Sequence, residues 1–367
     1  MGIFSRKPRD GPAPAATGPK HHHDKGTPYY SMSTRPSFGQ WLKHTWLDIA
    51  TMVVMGVIGL GVYEAHPAPT RSFAVTFSDG EVVYPEFAYP LRKEIVPIWA
   101  AALLAALVPI FVFLVMQIRI RSFWDVNNAV IGLLYSLITA AVFQVFVKWL
   151  IGGLRPHFLA VCQPDISLAT KDAGSGYNAA GFKQIYYTSE ICTGDRNLID
   201  DSLESMPSGH TTAAFAGFVY LYLYLNAKLK VFSNYHPAMW KLIAIYAPIL
   251  GACLIGGALT IDEFHNWYDI LAGAIIGTVM ALSAYRMTYA AIWDWRINHI
   301  PLNRGAPFDF GNAELTHATF TRKVGWGASN GGLSGHHGYG DHHNAPVSNN
   351  GVSRKPVGSG RAPEAMV

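Results

Sequence analysis

The sequence predicts an all-α integral membrane protein, a bundle of six transmembrane helices between two polar tails. Three observations carry that prediction. Half of the 367 residues are hydrophobic and only 14% are charged, against about a quarter in an ordinary soluble domain. The apolar residues gather into six stretches of roughly the 20 residues that a bilayer crossing requires. Lysine and arginine concentrate in alternate connecting segments, as they do in proteins with a fixed membrane orientation.

Residues 1–40 are rich in Pro, Gly, Lys and His and have no apolar core. They read as a disordered cytoplasmic segment rather than a secretory leader. The membrane domain occupies residues 41–300. Its first span is expected at about 46–63, with Asp48 near its start and Gly56, Gly59 and Gly61 inside. The second runs over about 95–118 and is nearly uncharged. The others follow at about 129–150, 208–225, 242–261 and 270–292. Residues 310–367 form a Gly/His-rich tail that also reads as disordered. The His runs at 21–23, 336–337 and 342–343 lie in these flexible segments, where nothing fixes the rings for a metal. These runs read as solvated tail, with weak adventitious metal binding at best, and no cofactor is expected.

Orientation follows from the basic residues. Arg6, Lys7, Arg9, Lys20, Lys25, Arg35 and Lys43 precede the first span. Arg119 and Arg121 separate the second from the third, and Lys228, Lys230 and Lys241 the fourth from the fifth. Arg286, Arg296 and Arg304 attend the C-terminal side. With six spans all of these share one face, which is the cytoplasmic face by the positive-inside rule. Both termini then lie in the cytoplasm. The net charge of +4 is a topology signal, not the basic footprint of a nucleic-acid binder.

The opposite face holds residues 64–94, the long loop 152–207 and a short turn at 262–269. Cys162 and Cys192 lie in the long loop, in an oxidising environment, and are expected to form a disulfide rather than remain two free thiols. Closing that loop would contribute roughly 3–4 kcal/mol. Cys253, inside a span, reads as a packing residue.

Three clusters at this face carry chemistry. Lys148 and Arg155-Pro156 end the third span; seven residues apart, they fit one face of a helix. Lys148 alone also fits a side chain snorkelling to the interface, but that leaves Arg155-Pro156 unexplained. Pro207-Ser208-Gly209-His210 opens the fourth span. Free N–H groups and the dipole at a helix start bind anions, Gly209 lets an anion approach the backbone, Ser208 offers a hydroxyl and His210 a titratable ring. A plain helix start with a wet histidine is the bland alternative. His265 and Asp269, four apart at the start of the sixth span, are placed as neighbours on one turn. A carboxylate on one imidazole nitrogen leaves the other free to attack; an interfacial pair flanked by Trp267 and Tyr268 is the simpler reading. Ionisable groups are costly at membrane depth, so their gathering at one face favours function.

These clusters resemble the motifs of the type 2 phosphatidic acid phosphatase superfamily, Lys-x6-Arg-Pro, Pro-Ser-Gly-His and Ser-Arg-x5-His-x3-Asp, over about residues 95–292. The first two match in full and the third only at His265 and Asp269; Ala258 and Leu259 stand where the family has Ser-Arg. The resemblance implies a phosphatidic acid phosphatase/haloperoxidase-like core and a metal-independent lipid phosphate phosphatase. It implies His265 as nucleophile forming a phosphohistidine, Asp269 orienting it, and His210 as the acid and then the base. It also implies that Lys148, Arg155, Ser208 and the Gly209 amide hold the phosphoryl oxygens. The substrate would be phosphatidic acid, lysophosphatidic acid, diacylglycerol pyrophosphate or a sphingoid phosphate, drawn from membrane lipid. Arg is the strongest bidentate partner of phosphate, so its absence at position 259 keeps two other functions open. One is a lipid phosphotransferase similar to the sphingolipid synthases; the other is an inactive lipid-binding membrane protein. Thr260, or the backbone beside it, is a candidate replacement donor.

Overall fold

In the computed structural model the described residues are 35–65, 72–77, 79–169 and 179–304. Most of the segment 1–40 and all of 310–367, both expected to be disordered, lie outside them. Six long helices dominate: α1 Phe38–Tyr63, α2 Ile98–Ile120, α3 Phe123–Ile151, α6 Gly209–Leu229, α7 Met239–Ile261 and α8 Trp267–Thr288. Two short helices, α4 Phe158–Cys162 and α5 Arg196–Ser202, lie between α3 and α6.

Local chemistry fixes where the long helices begin. Ser37 caps α1 through a capping box with Gln40, and Ser122 caps α3 by accepting from the Asp125 N–H. Ser208 caps α6 by accepting from the Thr211 N–H. Asn266 and Asp269 form a reciprocal box at α8. Each device satisfies amides that the helix itself leaves without acceptors.

Five of the six, α1, α2, α3, α7 and α8, are long and apolar enough to cross a membrane. Their outward faces carry exposed large apolar side chains such as Val57, Phe111, Leu250, Leu254 and Ile275, a surface suited to hydrocarbon. Cys253, expected in packing, is likewise exposed on α7. The sequence placed a span at about 208–225, and a helix is there, but α6 falls short of the apolarity of the other five. The reason is its position. It packs against α2, α3, α7 and α8 and is buried along almost its whole length. A helix that meets protein on all sides need not be soluble in lipid, and its polar groups find partners in its neighbours. The Tyr220 hydroxyl donates to the Asn128 carbonyl (3.2 Å) and that of Tyr224 to Asp125 (2.9 Å).

The α6–α8 crossing is close. A Cβ at Gly273 would sit 2.7 Å from the Ser208 carbonyl oxygen, and one at Gly277 2.5 Å from that of Thr212. Small residues let membrane helices approach backbone to backbone, and here they bring the start of α8 against the start of α6. Toward the other end of α6, about 27 Å along the axis from His210, Lys228 and Asp125 form a buried ion pair joined by the Tyr224 and Tyr289 hydroxyls. Lys228 also donates to the His299 carbonyl. Lys230 donates to Trp295, Asn298 and His299, and Lys241 to the Leu229 carbonyl and the Tyr235 hydroxyl. Three lysines counted as topology signals are thus also internal structural ties.

Above the start of α6 the chain between α3 and α6 forms a small cap. The Cys162–Cys192 disulfide joins α4 to the segment before α5. Strand β1 (Phe73–Ala74) pairs antiparallel with β2 (Tyr186–Tyr187). Phe73, Phe158, Cys162, Tyr187 and Ile191 pack into a separate apolar cluster.

Candidate active site

All six side chains singled out in the sequence are buried at one end of the bundle: Lys148, Arg155, Ser208, His210, His265 and Asp269. The local reasons differ from helix periodicity. Lys148 lies in the last turn of α3, but that helix stops at Ile151. Gly152 and Gly153 then take positive φ, 52° and 126°, and the chain turns back. Lys148 and Arg155 therefore meet through a glycine turn and not along a shared helical face. After the turn the backbone runs beside the segment leading to α6. The Arg155 N–H donates to Ser202, and the N–H groups of Ser205 and Met206 donate to Gly153 and Gly152. Arg155 is aimed by Asp201, whose Oδ1 lies 2.7 Å from its Nη2, and by the Phe264 ring at 5.6 Å. Its Nε is buried with no partner among the described residues.

At α6, Pro207 precedes the helix and Ser208 is the cap. The Ser208 hydroxyl accepts from the Thr211 N–H and Oγ1 (3.4 and 3.2 Å), so its own proton remains free to donate. The Ser208 amide donates to the Asp269 carbonyl, leaving the N–H groups of Gly209 and His210 as the open donors of the helix start. Around Gly209, a Cβ would meet nothing closer than 3.6 Å. Packing does not demand glycine there; the space serves whatever approaches the helix end.

His265 lies just outside α8, which begins at Trp267, while Asp269 is in its first turn. They meet nonetheless: His265 Nδ1 is 3.5 Å from Asp269 Oδ2. The His265 amide donates to the Leu259 carbonyl at the end of α7. Asp269 Oδ2 also accepts from the Ser205 hydroxyl (2.5 Å) and the Asn266 N–H (2.9 Å). Burial pulls the His265 imidazole down to about 4, against the opposing pull of Asp269, so the ring is neutral at neutral pH. The His210 and His265 rings stand edge to face with centroids 6.3 Å apart.

Four contributors had not been picked out from the sequence. Asp201 lies in the short helix α5 and Ser205 in the segment between α5 and α6, neither marked by an apolar periodicity. Gln144 stands one turn before Lys148 in α3 and donates to the Pro207 carbonyl (2.9 Å); a buried amide in an apolar span is the signal that points to it. Glu94, ahead of α2, places Oε1 3.7 Å from His210 Nε2. A cavity of about 550 Å³ lined by Arg92, Lys93, Glu94, His157, Asp201 and Phe264 lies beside the site. At the positions of the missing motif pair, Leu259 is fully buried, and Thr260 spends its hydroxyl on the Gly257 carbonyl instead of serving as a replacement donor.

Comparison with known proteins places the chain in a family. Residues 129–293 match the PAP2 superfamily. The chain is 32% identical over 248 residues to lipid phosphate phosphatase 1 of Arabidopsis thaliana, covering 67% of this chain and 68% of that one. It is 32% identical to lipid phosphate phosphatase 2 of the same plant, over 68% and 78% of the two chains. It is 31% identical to diacylglycerol pyrophosphate phosphatase 1 of Saccharomyces cerevisiae, over 46% and 54%. No solved structure matches the chain.

Proposed function

The chain belongs to the PAP2 superfamily, and from that premise we propose that it is a multi-pass membrane phosphatase hydrolysing phosphate monoesters of lipids through a phosphohistidine. The observation that carries the reading is the pair of buried imidazoles 6.3 Å apart, beside an Arg155 guanidinium whose Nε has no partner among the described residues and the open amides at the start of α6. His265, neutral and backed by Asp269, attacks phosphorus. Lys148, Arg155, the Ser208 hydroxyl and the Gly209 amide hold the oxygens over which transition-state charge spreads. His210 protonates the leaving alkoxide, then takes a proton from the water that cleaves the phosphohistidine.

All six long helices cross the bilayer in this reading, α6 as the central one shielded from lipid. The catalytic end faces the extracytoplasmic side and both termini the cytoplasm. Support comes from Arg119, Arg121 and Arg286 near the opposite ends of the helices and from the disulfide at the catalytic end. A site at helix ends admits a phosphate headgroup while acyl chains stay in the membrane. Phosphatidic acid, lysophosphatidic acid, diacylglycerol pyrophosphate and sphingoid phosphates all present that group.

The test is release of inorganic phosphate from these four lipids by the purified full chain, with EDTA present, beside His265→Ala. The wild type should release phosphate and the variant none. Transfer of the phosphoryl headgroup to a supplied ceramide, in preference to water, would favour a phosphotransferase. Lipid binding without turnover would leave only a binding role.

A further inference from the structure

We propose that Glu94 is a positioning residue for His210, a carboxylate that holds the proton on the imidazole until the leaving alkoxide takes it. The proposal rests on the phosphatase reading above and concerns its acid step. Glu94 Oε1 lies 3.7 Å from His210 Nε2, too far for a hydrogen bond and close enough for strong charge interaction. That nitrogen is buried and has no hydrogen-bond partner among the described residues. The other groups facing the ring are cations or cations in waiting: His265 from the α7–α8 turn, Arg155 from the cap and Lys148 from α3, with the Val96 carbonyl against the ring as the one further acceptor. Arg155 and Lys148, and His265 once attack makes its ring positive, oppose protonation of an imidazole that must be protonated to work. Glu94 is the carboxylate placed to offset them.

The position of Glu94 is built, not incidental. Its carboxylate accepts from the Ile98 N–H at the start of α2. Arg92 Nη1 donates to the Ile261 carbonyl (3.0 Å), and the Ile95 N–H donates to Asp262 Oδ2 (3.1 Å). The segment 92–97 is thereby strapped to the α7–α8 turn that carries His265, so one carboxylate and both imidazoles are held in a common frame. The charged groups around Glu94 itself are Arg155, Asp201 and Asp262, and burial pushes its carboxyl up against the opposing pull of Arg155. In the reaction Nε2–H passes to the leaving oxygen as the phosphorus–oxygen bond breaks. The neutral ring then accepts a proton from water, and Glu94 stabilises the imidazolium formed again.

Glu94→Gln keeps the shape and the acceptor for Ile98 while removing the charge. The experiment is the pH profile of kcat for phosphatidic acid hydrolysis by the full chain in mixed micelles, with Glu94→Asp and His265→Ala in parallel. The expected result is a shift of the alkaline limb by about one pH unit toward acid and a kcat lower by about tenfold at neutral pH, with KM little changed. Glu94→Asp, which retains the charge, should lie nearer the wild-type limb. An unmoved alkaline limb in Glu94→Gln, or a loss seen only in KM, overturns the proposal while leaving the phosphatase reading in place. A wild-type chain that releases no phosphate overturns that reading, and this inference with it.

Discussion

Replacing Asp269 by asparagine should lower kcat about 10³-fold without disturbing the fold. Three donors converge on Oδ2: the Ser205 hydroxyl, the Asn266 N–H and the Asn266 side-chain amide at 3.3 Å. An asparagine must therefore turn its carbonyl oxygen to that position, because its NH₂ group would face donors on every side. The oxygen beside His265 Nδ1 is kept, and with it the tautomer and the capping box of α8; only the charge is lost. The charge matters when His265 attacks, since the ring becomes positive as the nitrogen–phosphorus bond forms. Two unit charges at the observed 3.5 Å interact by roughly 4–5 kcal/mol at an effective dielectric of about 20, which converts to about three powers of ten in rate. The assay is phosphate release from phosphatidic acid at saturation, with helicity followed by circular dichroism. A variant within tenfold of wild type would refute the reasoning, because Asp269 would then not be compensating charge on an attacking imidazole.

Gly209→Ala should fold normally, since the added methyl meets nothing closer than 3.6 Å, yet lose at least about tenfold in kcat/KM by crowding the amide that receives phosphate; normal turnover would remove Gly209 from the site. Replacing Cys162 and Cys192 by serine opens a 30-residue separation and should cost about 3–4 kcal/mol, read as a lower urea midpoint for loss of the cap. For pH, His265 takes its proton near 6.5 in the unfolded chain and only near 4 in the fold. The unfolded state therefore binds more protons between those values. Stability should fall as pH drops from about 6.5 toward 4, with the loss from this group complete below 4, and the same protonation removes the nucleophile. Denaturant titrations at several pH values, with His265→Gln as the control lacking this component, check the slope.

The sequence made the helices legible because they are long and apolar, and their ends less so because caps decide them. The first span, expected at 46–63, begins eight residues earlier, at Phe38, where Ser37 and Gln40 close a capping box; counting apolar residues cannot see that device. The third helix begins at Phe123 and not 129, and it includes Asp125, whose charge is matched by Lys228 across the bundle. The last helix ends at Thr288, short of 292. The central helix was legible in sequence as a helix, though α6 is not among the five apolar enough to cross a membrane, and its tyrosines and threonines make sense only once its neighbours are in place. At the site, motif residues were readable because an ionisable group next to an apolar span is rare. Their partners were not: Ser205, Asp201 and Glu94 act through distances across 46 to 116 residues of chain, and no spacing rule links them. The glycine turn at 152–153 was likewise invisible behind a spacing of seven that suggested a helical face.

The most direct measurement follows the label itself. Wild type and His210→Ala are mixed with phosphatidic acid carrying radioactive phosphate, quenched in alkali within a turnover, digested and sequenced by mass spectrometry. A base-stable, acid-labile phosphate on the peptide containing His265, formed more slowly but persisting longer in His210→Ala, is the predicted result. Phosphate release by wild type with no label on His265, or with label on another side chain, would contradict the account.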